Sequence, residues 1–430
     1  MSLLPNIIFA IILFFGLGVF VRNLGKIKRN IYLGRDVDTK GDSKLRWANM
    51  AKIALGQGKM VRRPIAGILH IVVYIGFVII NIEVLEIVID GLFGTHRVFS
   101  EIGPLYGILI GTFEVLAALV FVAVVLFWTR RNISNVKRFM KSEMKGWPKL
   151  DGNLILYFEI ILMGLFILMN ATDSDFQSMN SGNIISQFFA PMFEGYNTHL
   201  IERVAWWLHI VGILIFLNYL YYSKHLHILL AFPNTYYGSV KPKGQLDNLE
   251  AVTNEVKLMM DPDADPYAAA ADATTVPEKF GASDVQDLNW VQLLNAYTCT
   301  ECGRCTSECP ANQTGKKLSP RKIMMDTRDR LVEVGKNIDA NNGEFNPDGK
   351  ALLGNYITNE ELWACTSCNA CVEACPISID PLSIILEMRR YLVMEQSAAP
   401  MELNNMMSNI ENNGAPWPYN QMDRLNWKNN

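Results

Sequence analysis

Apolar residues gather before about residue 230 in runs long enough to cross a bilayer, then give way to the mixed pattern of a soluble domain. Five segments read as membrane-spanning helices: Leu4–Val21, Pro64–Ile89, Leu105–Trp128, Leu154–Asn170 and Val204–Tyr222. Each reaches or nearly reaches the ~20 residues that span the hydrocarbon core at 1.5 Å per residue. From Gly238 the pattern turns polar, and Met260–Pro277, with its Asp-Pro-Asp-Ala-Asp-Pro-Tyr run and Ala-rich stretch, reads as a linker. Beyond it, Val291–Ala296, Pro320–Val334, Asn359–Trp363 and Leu382–Glu395 carry helical spacing, with no sustained strand alternation. The tail Met401–Asn430, rich in Asn and Met and broken by Pro-Trp-Pro, reads as a cover for the domain or for a partner. The expectation is an all-α chain: a five-helix transmembrane bundle over 1–237, a linker over 238–280, a helical domain over 281–400 and a tail over 401–430.

The net charge of −3 on 430 residues says little, whereas its placement says much. Arg22, Lys26, Lys28 and Arg29 follow the first apolar run, which has no basic residue before it and so reads as an anchor rather than a cleaved signal. The first connection continues through Arg35, Lys40, Lys44, Arg46, Lys52, Lys59, Arg62 and Arg63. The third holds Arg130, Arg131, Lys137, Arg138, Lys141, Lys145 and Lys149, while the second and fourth hold only Arg97 and Arg203. Basic connections stay inside. The expected topology therefore puts the N-terminus outside and everything after Tyr222 in the cytoplasm, in a multi-pass protein of a bacterial cytoplasmic (inner) membrane.

All eight cysteines fall in two quartets: Cys299, Cys302, Cys305 and Cys309 before Pro310, then Cys365, Cys368, Cys371 and Cys375 before Pro376. The spacing C-x2-C-x2-C-x3-C-P places three thiolates on one tight loop, and in two-cluster proteins the fourth serves the other cluster. The expected ligand sets for two [4Fe–4S] clusters are Cys299, Cys302, Cys305 and Cys375 for one, and Cys365, Cys368, Cys371 and Cys309 for the second. Disulfides fit poorly with a cytoplasmic domain. Zinc takes four ligands in two C-x2-C knuckles rather than eight in evenly stepped quartets.

The run Thr298-Cys-Thr-Glu-Cys-Gly-Arg-Cys through Cys309-Pro-Ala, Thr314-Gly-Lys and Leu318-Ser-Pro-Arg resembles the iron–sulfur subunits of heterodisulfide reductases and anaerobic glycerol-3-phosphate dehydrogenases, over roughly Gly281–Asn430. The resemblance implies a helical two-cluster ferredoxin with a long insertion between its motifs. Relatives of this kind often continue into cysteine-rich catalytic repeats that this sequence lacks. The expected partner is then a cytoplasmic catalytic subunit carrying such repeats, or a flavoprotein dehydrogenase, with membrane lipid and quinone also in contact and no nucleic acid.

Of six histidines, His96 and His199 fall in outer connections, His70 lies in the second apolar helix, and His209 and His227 bracket the fifth. Eighteen residues make five turns, so on one continuous helix His209 and His227 would share a face about 27 Å apart, with His225 pointing away. Haem iron takes axial imidazoles from facing helices. Arg62-Arg63-Pro-Ile-Ala-Gly-Ile-Leu-His70 and Ser223-Lys-His-Leu-His227 are similar to the membrane cytochrome b subunit of respiratory nitrate reductases, loosely over Met1–Leu230. Two-haem members carry two histidines on each of the second and fifth helices, whereas Ile80 stands here where the second on helix two is expected. The resemblance implies one haem b, held by His70 and His227. Depth leaves His70 with His209 open as well, and His209 is otherwise free for a second haem or a quinone site.

Asn81, Glu83, Glu86, Glu114 and Glu159 lie within apolar helices, where carboxylates are costly unless they face a polar cavity. His209 with Glu83 or Glu114 is the expected menaquinone or ubiquinone and proton site. The assembled expectation is an oxidoreductase subunit relaying electrons between a cytoplasmic partner and the quinone pool. A membrane-tethered iron–sulfur redox sensor or assembly protein is the alternative. A disulfide reductase in its own right would need cysteines beyond the eight already committed.

Overall fold

A computed structural model describes residues 3–39, 41–242, 244–262 and 279–429. Among them the secondary structure is helical, with isolated bridges at Arg35 with Asn289 and Leu353 with Ile357 and no named strand. Five helices are long and apolar enough to cross a membrane: Leu4–Ile31, Pro64–Phe93, Pro104–Asn132, Trp147–Thr172 and Thr198–Tyr222, the last turn being 3-10. Four of them carry proline in the first turn, where its missing N–H costs nothing. Their inner faces meet in a core built on Phe9, Ile80, Phe113, Phe166 and Ile210. Ile7, Ile11, Phe14, Phe15 and Val21 on the first helix, and Ile65, Ile68, Val78 and Leu85 on the second, stay exposed. Apolar bands of that size fit lipid rather than water.

The expected continuity of the fifth helix fails at Ser223. Its backbone is extended (φ −110°, ψ 144°), 3-10 turns flank it, and His227 opens a separate helix, His227–Tyr237. Side chains supply the reason. The Ser223 hydroxyl accepts from the His225 amide at 3.1 Å, and Asp151 accepts from the Lys224 amide at 3.2 Å and from the Tyr219 hydroxyl at 2.6 Å. Such local bonds compete with the helical ladder. His209 and His227 therefore belong to different elements, and the five-turn relation between them does not apply.

The helix His227–Tyr237 packs against the C-terminal domain. Leu226, Leu230 and Ala231 share one core with Ile27 and Ile31 of the first helix and with Leu293, Leu331, Val334 and Ile385 of the C-terminal domain. Asn30 donates to the Tyr297 hydroxyl at 2.8 Å and lies so close to Gly335 that a Cβ there would fall 2.4 Å from its Nδ2. The linker expected over 238–280 contains a helix, Glu250–Met260, and its segment 263–278 lies outside the described residues. In the tail, Met401–Asn413 is helical and carries no buried residue.

The C-terminal domain is organised by Trp290–Thr298, Pro320–Ala340 and Pro381–Met394, each entered through a side-chain N-cap: Asn289, Ser319 and Asp380. Arg330 is fully buried, bonded to Asp284 at 2.7 Å, Asp348 at 2.5 Å and the Lys350 carbonyl at 2.9 Å. It ties the inter-motif insertion to the domain core. Removing one partner of a buried ion pair costs about 3 kcal/mol or more. Arg330→Ala is expected to lower the thermal unfolding midpoint of the C-terminal domain by several degrees, read from loss of visible absorbance on heating.

Candidate functional site

The two cysteine loops are the same structure repeated sixty-six residues apart. Each first cysteine is followed two and four positions later by left-handed residues: Glu301 (φ 55°) and Gly303 (φ 70°), then Ser367 (φ 56°) and Asn369 (φ 60°). Glycine and asparagine tolerate that region best. The turns aim backbone N–H groups inward, a concavity that suits anions and iron–sulfur centres. Ser367 N donates to Cys365 Sγ at 3.4 Å and Ile379 N to Cys375 Sγ at 3.2 Å. Each fourth cysteine ends a short helix, with proline beginning the next segment.

Cys299, Cys302, Cys305 and Cys375 line one cavity of about 370 Å³, together with Arg321, Met324 and Ile377. Cys309, Cys365, Cys368 and Cys371 line a second of about 300 Å³, with Leu318, Leu382 and Ile385. Three thiols of one motif thus share a cavity with the fourth of the other. All eight thiols are unpaired, and only Cys368 is exposed. Burial pushes the Cys299 and Cys371 thiols up to about 12 and Cys375 up to about 11, whereas the Ala370 amide lowers Cys368. Thiolates in such apolar cavities require a bound cation, which iron supplies.

The basic connections between the apolar helices also grip this domain. Arg62 pairs with Glu373 at 2.7 Å, and Arg63 with Glu308 at 2.8 Å and the Ser307 hydroxyl at 2.7 Å. Buried Glu301 is held by Lys224 and by Arg328, the latter at 2.7 Å. Buried Arg321 pairs with Glu143 at 2.7 Å and donates to the Arg138 carbonyl at 2.7 Å. Arg304 donates to the carbonyls of Lys59 at 3.1 Å and Met60 at 3.2 Å, on the turn leading into the second spanning helix. The cavity lined by Cys302 and Cys375 therefore lies on the membrane side of the domain.

His70 and His227 face one another beside that junction, ring centroids 6.4 Å apart and planes 45° apart. Two imidazoles sharing one metal through nitrogen bonds of about 2 Å have centroids roughly 6 Å apart, so the pair fits bis-imidazole ligation. His227 Nδ1 lies 3.2 Å from the Lys224 carbonyl, which can only accept. That bond fixes the proton on Nδ1 and leaves Nε2 as a ligand atom. His70 Nδ1 is buried without a partner. Burial lowers His227, and His225 to about 3. His225 does not point away: its ring stands 5.5 Å from His227 and 5.3 Å from Phe216.

His209 lies elsewhere, against Phe166 and the second helix. Its Nε2 is 3.8 Å from Glu83 Oε2, and both ring nitrogens and that oxygen are buried without hydrogen bonds. Glu114, the other expected companion, is already satisfied: Oε1 accepts from Asn170 at 3.0 Å, and Oε2 from the amides of Ile185 at 2.7 Å and Ser186 at 3.1 Å. Sequence reasoning missed the network around it. Arg97 is buried and donates to Asp173 at 2.7 Å, Asn170 at 2.9 Å and the Tyr106 hydroxyl at 3.2 Å, while Glu86 accepts from the Phe99 amide at 2.9 Å and from Tyr106 at 3.3 Å. Arg97 was visible as the one basic residue of its connection, but its acceptors come from distant segments.

Residues 298–379 match the 4Fe-4S dicluster domain. The chain is 28% identical over 418 residues to "Probable iron-sulfur-binding oxidoreductase FadF" of Bacillus subtilis, covering 89% of this chain and 54% of that protein. It is 26% identical over 408 residues to "EtfAB:quinone oxidoreductase" of Syntrophomonas wolfei, covering 87% and 52%. A 170-residue stretch, 37% of this chain and 25% of the relative, is 32% identical to "Probable membrane-anchored ferredoxin" of Chromohalobacter salexigens. The chain spans about half the length of the first two relatives. No solved structure matches it. Five membrane-length helices precede a domain of the 4Fe-4S dicluster type, and the first two relatives are named as oxidoreductases: this is an iron–sulfur electron-transfer protein.

Proposed function

We propose that the chain carries electrons between a cytoplasmic partner and membrane quinone. Cys299, Cys302, Cys305 and Cys375 would hold one [4Fe–4S] cluster, Cys309, Cys365, Cys368 and Cys371 the other, and His70 with His227 one haem b. Bound there, these groups supply one-electron redox chemistry. The observation that carries the reading is the His70–His227 pair, 6.4 Å apart beside the inner cysteine cavity. In an iron–sulfur sensor or assembly protein, two facing imidazoles meeting at that spacing would have no purpose.

The residues divide the remaining work. The Lys224 carbonyl orients His227. The basic connections seat the cysteine domain against the helix ends and reinforce a topology with the N-terminus outside. His209 and Glu83, buried with unsatisfied polar atoms, suit a ligand with carbonyl oxygens and protons to exchange, which describes a menaquinone or ubiquinone headgroup. The similarity to a protein named EtfAB:quinone oxidoreductase supports the same acceptor and favours an electron-transfer flavoprotein as partner. The loose likeness of residues 1–230 to nitrate reductase cytochrome b subunits agrees with a single haem.

The test is optical. Purified membranes containing the chain should show a b-type difference spectrum with dithionite, and part of it should appear with a quinol alone. Absence of a quinol-reducible b-type signal would favour a tethered sensor. In the same preparation, His209→Ala should leave the dithionite spectrum intact and slow the quinol response at least tenfold. A variant unchanged in both would remove His209 from the quinone site.

A further inference from the structure

The two cysteine cavities differ in charge. Arg304 reaches from the inner loop to the carbonyls of Lys59 and Met60 and to the Met60 sulfur, and Arg138 packs its Cβ 3.4 Å from the Cβ position of Gly303. Among the described residues, neither guanidinium has a carboxylate partner. The Arg138 group lies 4.9 Å from the Phe139 ring centre, and its Nε is buried without an acceptor. Both act electrostatically on Cys302. Of the other charges near the inner cavity, Arg321 is paired with Glu143 and Glu301 with Lys224 and Arg328, while the Lys59 ammonium acts on Cys375 in the same sense as the two guanidiniums.

Among the described residues, a cation and an anion act on the outer cavity. Arg389 donates to the carbonyls of Leu362 and Cys365, each at 2.5 Å, and lies over Trp363. The Asp380 carboxylate acts on Cys371 in the opposite sense. A four-thiolate cubane gains one negative charge on reduction, so nearby uncompensated cations favour its reduced form and net charge sets its potential. Water at exposed Cys368 favours reduction of the outer cluster and works against this order. Arg304 is buried and Arg138 half-buried, so their charges act through a lower dielectric than the water at Cys368 and weigh more.

We propose that Arg304 and Arg138 hold the cluster of Cys299, Cys302, Cys305 and Cys375 at a higher reduction potential than the cluster of Cys309, Cys365, Cys368 and Cys371. The two centres are then ordered in energy toward the membrane helices, which gives the relay a downhill sense from the exposed Cys368 side inward. This rests on the two-cluster assignment above.

An EPR-monitored redox titration of the full chain, purified anaerobically in detergent, tests it. Iron and acid-labile sulfide are counted first. Fewer than about eight of each per chain would overturn the two-cluster assignment itself, separately from the potential order. Cys302→Ser identifies the inner cluster's signal. That signal should be the first to be reduced in the unaltered chain. Arg304→Gln and Arg138→Gln should each lower the reduced-to-oxidised ratio of that cluster about tenfold at a fixed potential, equal to about 59 mV for one electron, and leave the outer cluster in place. Arg304→Lys should restore most of the ratio. Should Arg304→Gln fail to load iron, Arg138→Gln carries the test, since its side chain makes no hydrogen bond to the cysteine domain. An inner cluster reduced second, or a signal indifferent to both substitutions, overturns the proposal.

Discussion

Cys375→Ser, a change in the second motif, is expected to remove or convert the cluster held mainly by the first. Cys375 shares its cavity with Cys299, Cys302 and Cys305, while its own motif companions line the other. Serine offers a poorer ligand in an apolar cavity where Ile379 N otherwise donates to sulfur at 3.2 Å. Non-haem iron should fall from about eight to about four per chain, and the surviving EPR signal should be the one that Cys368→Ser abolishes. Cys309→Ser should give the mirror result. Uncrossed ligation predicts the opposite pairing, so the two double comparisons decide between them. Thermal stability should also fall, because ligand sets that cross between motifs make metal binding part of folding.

How much of this was legible in the sequence depends on the range of the interactions. Cysteine spacing is local, so a tight loop with its fourth ligand displaced could be read before any contact was known. The spanning helices were legible because hydrocarbon imposes a length and a composition on a contiguous segment. The break at Ser223 was not, since it is fixed by Asp151, seventy-three residues from Lys224. Nor was the second use of the basic connections. Arg62, Arg63 and Lys224 satisfy an orientation rule that depends on composition alone, whereas their pairing with Glu373, Glu308 and Glu301 depends on how the C-terminal domain docks. Glu114 shows the same limit: a carboxylate within an apolar helix signals an unusual environment, but whether its partners are a substrate or two backbone amides is a tertiary fact.

His227→Ala is expected to abolish the b-type spectrum, and His70→Ala to do the same, while both leave the iron content of the cysteine domain within about a fifth of the unaltered chain. The geometry assigns the pair: 6.4 Å between ring centres, and a carbonyl that holds the His227 proton on the far nitrogen. His225 is the control. Its ring contacts among the described residues are His227 and Phe216 rather than His70, so His225→Ala should keep the spectrum with at most a small shift. His209→Ala should keep it too, since His209 faces Glu83 and Phe166 rather than His70. The informative reversal is specific. If His209→Ala removes the haem and His227→Ala retains it, the iron is shared by His70 and His209. The helix opened by His227 would then serve to anchor the cysteine domain, through the Asn234 bond to the Ile377 carbonyl at 2.7 Å, rather than to hold a cofactor.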